Sequence, residues 1–239
     1  MLGLRPPYRK PVREEAEKPF WISFSDMMTA LMVLFLVVMT VTLLAVTHTV
    51  NEEKDVKKQR DAEIGALMAK MRETSKEFPG ITLTGHSINF GDQARFDTDS
   101  NMLTGEQARH LRAFIPAVLT IARDPLGRKW LKRVTVEGYA DRRGSYLHNL
   151  NLSMERSERV LCALLSRPEQ DERPLSREDR MLIQQLFLVG GSSFNSLKKT
   201  LEESRRIELR LEFLEAGENR PEPPPLQPDA DQFCPLDRS

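Results

Sequence analysis

The chain lacks net charge, because Lys plus Arg total 35 and Asp plus Glu total 35. That balance leaves no field to hold nucleic acid or another polyanion, so no direct nucleic-acid partner is expected. Cysteine is scarce, with 2 in 239 residues, and no metal site is expected. Ionisable groups are missing from Ile22 to Val46, with the exception of Asp26. As a helix that run is roughly 37 Å long, enough to cross a bilayer core with some tilt. It is too long for the apolar core of a signal peptide, and no small-x-small cleavage site follows Leu44, so it is expected to stay as a transmembrane anchor. The remaining length suits one main globular domain with linkers.

Basic residues flank the run on both sides, Arg5, Arg9, Lys10, Arg13 and Lys18 before it and Lys54, Lys57, Lys58 and Arg60 after it. Counting them barely favours an N-terminus inside. Residues 1–19 carry Pro6, Pro7, Pro11 and Pro19 and read as a short cytoplasmic tail, with the transmembrane helix over 20–50. Residues 51–80 read as a helical linker, proline-free up to Phe78 and closed by Pro79-Gly80. Within it Ile64, Leu67, Met68 and Met71 make a narrow apolar stripe. The narrowness favours pairing with a second copy over packing on the globular domain.

Residues 81–216 alternate between strand and helix patterns. Strands are expected at Ile81–Leu83, Ser87–Phe90, Val134–Gly138, Leu186–Val189 and Ile207–Phe213. Thr104 with Gln107 forms a capping box for a helix to about Ile121, kinked or shortened by Pro116. A second helix is expected at Leu150–Leu165, and a third from Arg177 in a charged insertion. The expected class is α+β, a βαβαβ domain with helices on one face, followed by a proline-rich tail over 217–239.

An aspartate inside a membrane helix costs on the order of 3 kcal/mol at the centre, so Asp26 suggests ion movement. Thr29, Ala30, Val33 and Thr40 share its helix face, where small and hydroxyl side chains would admit a second helix. The alternative is that Asp26 sits one turn into the helix, caps amides in a Ser23-x-x-Asp26 box and reaches water.

The run Phe20-Trp21-Ile22-Ser23-Phe24-Ser25-Asp26-Met27-Met28-Thr29-Ala30-Leu31-Met32 resembles the anchor helix of the MotB family, and within it the ZorB branch from Zorya anti-phage systems. The resemblance implies that Asp26 accepts and releases an ion against a MotA- or ZorA-like multi-helix ring; the identity of the ion stays open, with H+ favoured over Na+. It also implies a homodimer and no cofactor.

Beyond the membrane, Gly138-Tyr139-Ala140-Asp141-Arg142-Arg143-Gly144 follows a strand and precedes a helix with Asn149, Leu152 and Arg156. From residue chemistry alone, Asp141 and Arg156 form a mutual ion pair and Asn149 or Asn151 a helix cap. The other reading is a zwitterion site, with Asp141 taking an ammonium, Arg156 a carboxylate and Asn149 neutral hydrogen bonds. The segment resembles the OmpA-like peptidoglycan-binding domain, with Ile88-Asn89-Phe90, Phe96-Asp97, Leu103-Thr104 and Arg205-Arg206-Ile207-Glu208 as flanking elements. The resemblance implies that Asp141, Asn149, Leu152 and Arg156 bind the diaminopimelate of peptidoglycan, which puts the domain in the periplasm and the N-terminus in the cytoplasm. Ala140 stands where threonine is usual, His148 where tyrosine is common and Ser204 where asparagine often precedes the arginine pair.

Cys162 and Cys234 both follow the membrane run and could pair within the chain, pair between chains or stay free. The resulting expectation is a non-enzymatic, peptidoglycan-anchored subunit of an ion-driven inner-membrane motor. A flagellar MotB-like stator and a passive wall tether are the alternatives. Asp141→Ala and Arg156→Ala are each expected to remove wall binding without unfolding the domain.

Overall fold

The computed structural model describes residues 18–166, 174–220 and 233–237. The expected N-terminal tail lies outside them as far as residue 17, as do residues 167–173 of the insertion and 221–232 of the proline-rich tail. Helix α1 spans Lys18–Ser75, and the chain divides after Val56 into two compact units.

Among the described residues the first unit is helix alone, and every side chain from Trp21 to Val50 is exposed. An α-helix bonds all its interior backbone groups to itself, which an apolar run in hydrocarbon requires. The hydroxyls follow suit, Thr29, Thr40, Thr42 and Thr47 donating to the carbonyl four residues back at 2.6–2.7 Å. Because the helix already includes Lys18, Ser23 and Asp26 lie in its interior. The capping-box alternative for Asp26 is thereby corrected, since interior amides already have partners.

In the second unit, Ile64, Leu67, Met68 and Met71 are only 2–7% exposed and belong to the domain core. The expected pairing of this stripe with a second copy is corrected by that burial. The stripe is narrow because the helix lies along a surface already closed on its other sides, and polar contacts fix its edges. Glu63 accepts from Trp130 Nε1 at 2.5 Å and Lys129 Nζ at 2.6 Å, Arg60 Nε donates to the Leu214 carbonyl at 2.7 Å, and Lys70 pairs with Asp124.

The sheet comprises β1 Thr82–Thr84, β2 Ser87–Asn89, β3 Leu131–Gly138, β4 Phe187–Gly191 and β5 Ile207–Phe213, in the order β1-β2-β5-β3-β4. Only β3 and β4 are parallel, and the others pair antiparallel. Ile207, Leu209, Leu211 and Phe213 alternate with polar residues, and Leu209 and Leu211 lie opposite Val136 and Val134. One face of the sheet is therefore apolar and takes the helices. On the other, Arg133 Nε and Thr135 Oγ1 donate to Glu212, and Arg210 pairs with Glu137.

Helix α2 covers Gly105–Arg123 and starts with both bonds of the Thr104/Gln107 capping box. It runs on through Pro116, against the expected shortening, because Leu111, Phe114, Ile115, Val118 and Leu119 are buried on one face and packing outweighs one lost bond. Helix α3, Pro125–Trp130, starts on the Asp124 cap with proline at its first position. Helix α4, Tyr146–Leu165, is capped by Ser145, α5 covers Arg177–Leu186 and α6 covers Leu201–Ser204. Cys162 on α4 is joined to Cys234 by a disulfide with a Cα separation of 5.2 Å, and Arg159 Nη1 donates to Asp237 at 2.5 Å beside it.

Candidate functional site

The end of β3 and the start of α4 are brought together by close backbone packing. A Cβ on Gly138 would come within 1.9 Å of the Ser153 carbonyl oxygen, so only glycine lets α4 approach the strand there. Ser193 N donates to Ser153 Oγ at 3.1 Å and Ala140 N to the Ser193 carbonyl at 2.8 Å, which fixes the loop carrying Asp141. The loop turns at Gly144, whose φ of +91° suits glycine, and the Ser145 cap then starts α4.

This places Asp141, Asn149, Leu152 and Arg156 around one cavity of about 230 Å³. Thr98, Asp99, Ala140, Arg143, Gly144, His148 and Arg205 complete its wall, so two of the three departures from the OmpA-like pattern line the cavity. The third, Ser204, holds the approach to the arginine pair by donating to the Thr200 carbonyl at 2.8 Å and accepting from Lys198 N at 3.0 Å.

Asp141 and Arg156 are not a mutual ion pair. The Asp141 carboxylate takes Arg143 Nη2 at 2.7 Å, Arg143 N at 2.9 Å and Arg205 Nη1 at 3.1 Å. Burial alone would push its pKa up, but the hydrogen bonds from Arg143 and Arg205 outweigh burial and hold it well below the usual carboxylate range. Arg156 donates instead to the carbonyls of Ser100, Tyr139 and Asp97 at 2.9, 2.9 and 3.0 Å, with its guanidinium 5.1 Å from the centre of the Phe96 ring. Burial, helped by the like charge of Arg205, pushes Arg156 down to about 10, which leaves it cationic at neutral pH. With no exposed surface and three carbonyls on it, Arg156 also holds the strand, the loop and α4 together. The expectation that Arg156→Ala would spare the fold is corrected accordingly.

Asn149 is buried and donates to the Arg143 carbonyl at 2.7 Å, so it shapes the loop from inside rather than capping a helix. Asn151 Nδ2 donates to Glu155 at 2.6 Å along α4. His148 Nε2 lies 2.6 Å from Asp99 at the rim. The cavity wall thus carries three guanidiniums against the carboxylates of Asp99 and Asp141, an excess of positive charge that can take an anionic group. Sequence reasoning passed over Arg143 and placed Arg205 only as a flanking element. The signal for Arg143 was its position two residues after Asp141, where an Asx turn returns the chain on itself.

Asp26 belongs to the other unit. Its side chain is exposed on α1, and among the described residues no hydrogen bond or ion pair holds it.

The described residues thus combine one helix long and apolar enough to cross a membrane, with Asp26 in its apolar run, and an α+β domain. The family described as "Membrane MotB of proton-channel complex MotA/MotB" matches residues 7–54. The chain belongs to the ZorB family: it is 40% identical over 211 residues to the Zorya protein ZorB of Escherichia coli O139:H28 (strain E24377A / ETEC), covering 87% of this chain and 85% of that one. Among solved structures it is similar to the OmpA-like domain of FopA1 from Francisella tularensis subsp. tularensis SCHU S4, with 15% identity, 56% of this chain and 82% of that chain covered, and a TM-score of 0.34. It is also similar to the cell wall anchor of the T6SS from Pseudomonas aeruginosa, with 15% identity, 61% and 96% covered, and a TM-score of 0.39.

Proposed function

We propose that this chain is the peptidoglycan-anchored subunit of an ion-driven motor in the bacterial inner membrane, and that the motor serves Zorya anti-phage defence. The observation that carries the reading is Asp26, the one ionisable residue between Ile22 and Val46, exposed on α1 and held by no hydrogen bond or ion pair among the described residues. A carboxylate in hydrocarbon is costly, and the same group carrying a proton is far less so. Taking up a proton on one side and releasing it on the other alternates the helix between charged and neutral. A surrounding ring of a MotA- or ZorA-like multi-helix protein can convert that alternation into rotation. H+ is favoured over Na+ in this reading, because a carboxyl that takes up a proton becomes neutral and loses most of the cost of sitting in an apolar environment.

In this reading two copies stand side by side within the ring, with N-termini in the cytoplasm and globular domains in the periplasm. The cavity at Asp141 and Arg156 holds the diaminopimelate end of a peptidoglycan stem, so the wall resists the reaction to the torque. The chain itself performs no covalent chemistry. Similarity to a protein named for Zorya favours defence over a flagellar stator, and the cost of an ionisable Asp26 inside an apolar run favours a motor over a passive tether.

The test is complementation of the native system with Asp26→Asn, with assembly checked by co-purification and both phage protection and motility scored. The expected result is loss of protection in an intact complex, with motility untouched. Full protection by the variant would leave a wall tether, and loss of motility alone would leave a flagellar stator.

A further inference from the structure

Asp141 is only 5% exposed, and its carboxylate is bonded by Arg143 of the same loop and by Arg205. Arg143 is half exposed, spans both carboxylate oxygens through Nε at 3.3 Å and Nη2 at 2.7 Å, and has its other tie to Thr98 Oγ1 at 2.9 Å. A carboxylate offers about four lone-pair directions. With the Arg143 backbone amide and Arg205 Nη1 also bonded, the carboxylate is full and has no direction left for a ligand ammonium.

The two guanidiniums differ in what holds them. Arg205 is 9% exposed at the side chain and is pinned by a bond from Nε to the Phe96 carbonyl at 2.8 Å. Arg143 faces solvent, and its backbone bond to Asp141 Oδ1 survives any movement of its side chain. Only Arg143 can leave without disturbing the loop.

We propose that Arg143 is a displaceable occupant of the ammonium position on Asp141, and that it makes the cavity select ligands presenting a free carboxylate beside a primary ammonium. This rests on the reading of the cavity as a wall-peptide site. A ligand ammonium alone would have to expel the guanidinium into water and would lose one ion pair for each it gains. A ligand that also brings a carboxylate gives the released guanidinium a new partner, so the exchange conserves charge pairing. The excess of guanidinium over carboxylate in the cavity wall favours the same ligand. An amidated side chain, which keeps the ammonium and lacks the carboxylate, is disfavoured.

The experiment measures calorimetric binding of two soluble tripeptides to the full chain in detergent micelles. One ends in meso-diaminopimelate, and the other carries the same residue with its side-chain carboxylate amidated. The wild-type chain is expected to bind the free acid about fivefold or more tighter, the scale of one partly exposed ion pair. In Arg143→Ala and Arg143→Gln, the amidated peptide should gain affinity, the free acid should change little, and the ratio should fall toward one. Equal weakening of both peptides would assign Arg143 to loop structure, and an unchanged ratio would make it a bystander; either overturns the proposal. Binding of neither peptide by the folded wild-type chain would defeat the wall-peptide reading itself, and the proposal with it.

Discussion

Among the described residues the Asp26 side chain meets no donor, whereas Asp141 is surrounded by donors from its own chain, Arg143 and Arg205 among them. The contrast separates two kinds of site. The cavity of the globular unit is complete in one chain, with its charges already matched, so its chemistry can be read from the coordinates. In the proposed function the membrane helix supplies half of a site, and the groups that solvate its carboxylate come from another helix. The same contrast runs along α1, where the four apolar residues Ile64, Leu67, Met68 and Met71 are buried in the core and the apolar side chains from Trp21 to Val50 are exposed.

Four substitutions probe the difference between the two regions. The largest effect belongs to Asp26→Asn, which should abolish motor output while leaving the thermal stability of the globular unit unchanged, as differential scanning fluorimetry of the purified chain would show. Arg156→Ala comes next, because it strips a buried donor from three carbonyls, and a loss of about 3–5 kcal/mol is expected. Urea denaturation would measure that loss, and a change under about 1 kcal/mol would mean that water replaces the guanidinium.

Leu67→Ala should cost about 2–4 kcal/mol by opening a cavity in the core. Its melting temperature should not depend on protein concentration, since a concentration-dependent loss would return the stripe to an interface between copies. The smallest effect is one of pH. Hydrogen bonds from Lys129, then Trp130 and Gln59, lower Glu63 to about 2. A depressed carboxylate stabilises fully above its unfolded value of about 4.3, and that contribution fades as pH falls toward 2. Glu63→Gln should therefore flatten the fall in melting temperature across that window and leave the slope above pH 5 unaltered.

Much of this was legible in the sequence. The Thr104/Gln107 capping box and the alternation from Ile207 to Phe213 are local signals, and the structure contains both features. Strand β3 begins at Leu131, earlier than the expected Val134, because pairing with β5 extends it past the apolar alternation. The short helix at Pro125 was passed over, although Asp124-Pro125 is a start signal, because six residues are too few for a visible period. The stripe on α1 was seen but misdirected, since periodicity shows that a face is apolar and says nothing about what covers it. The residues of the cavity were found through their resemblance to a known pattern, yet their pairing was not. An arginine two residues from Asp141 outcompetes one fifteen residues away on a helix, because a turn brings the nearer one onto the carboxylate at almost no cost in chain entropy.

Strand β3 also has a mechanical meaning. Its first residue follows Trp130, whose indole holds Glu63 of α1, and its last lies three residues before Asp141. Tension applied between the helix and the cavity would run lengthwise along this strand, which is flanked by β4 on one side and β5 on the other. Its ladder bonds would then be loaded in shear and share the pull, where peeling would break them one at a time.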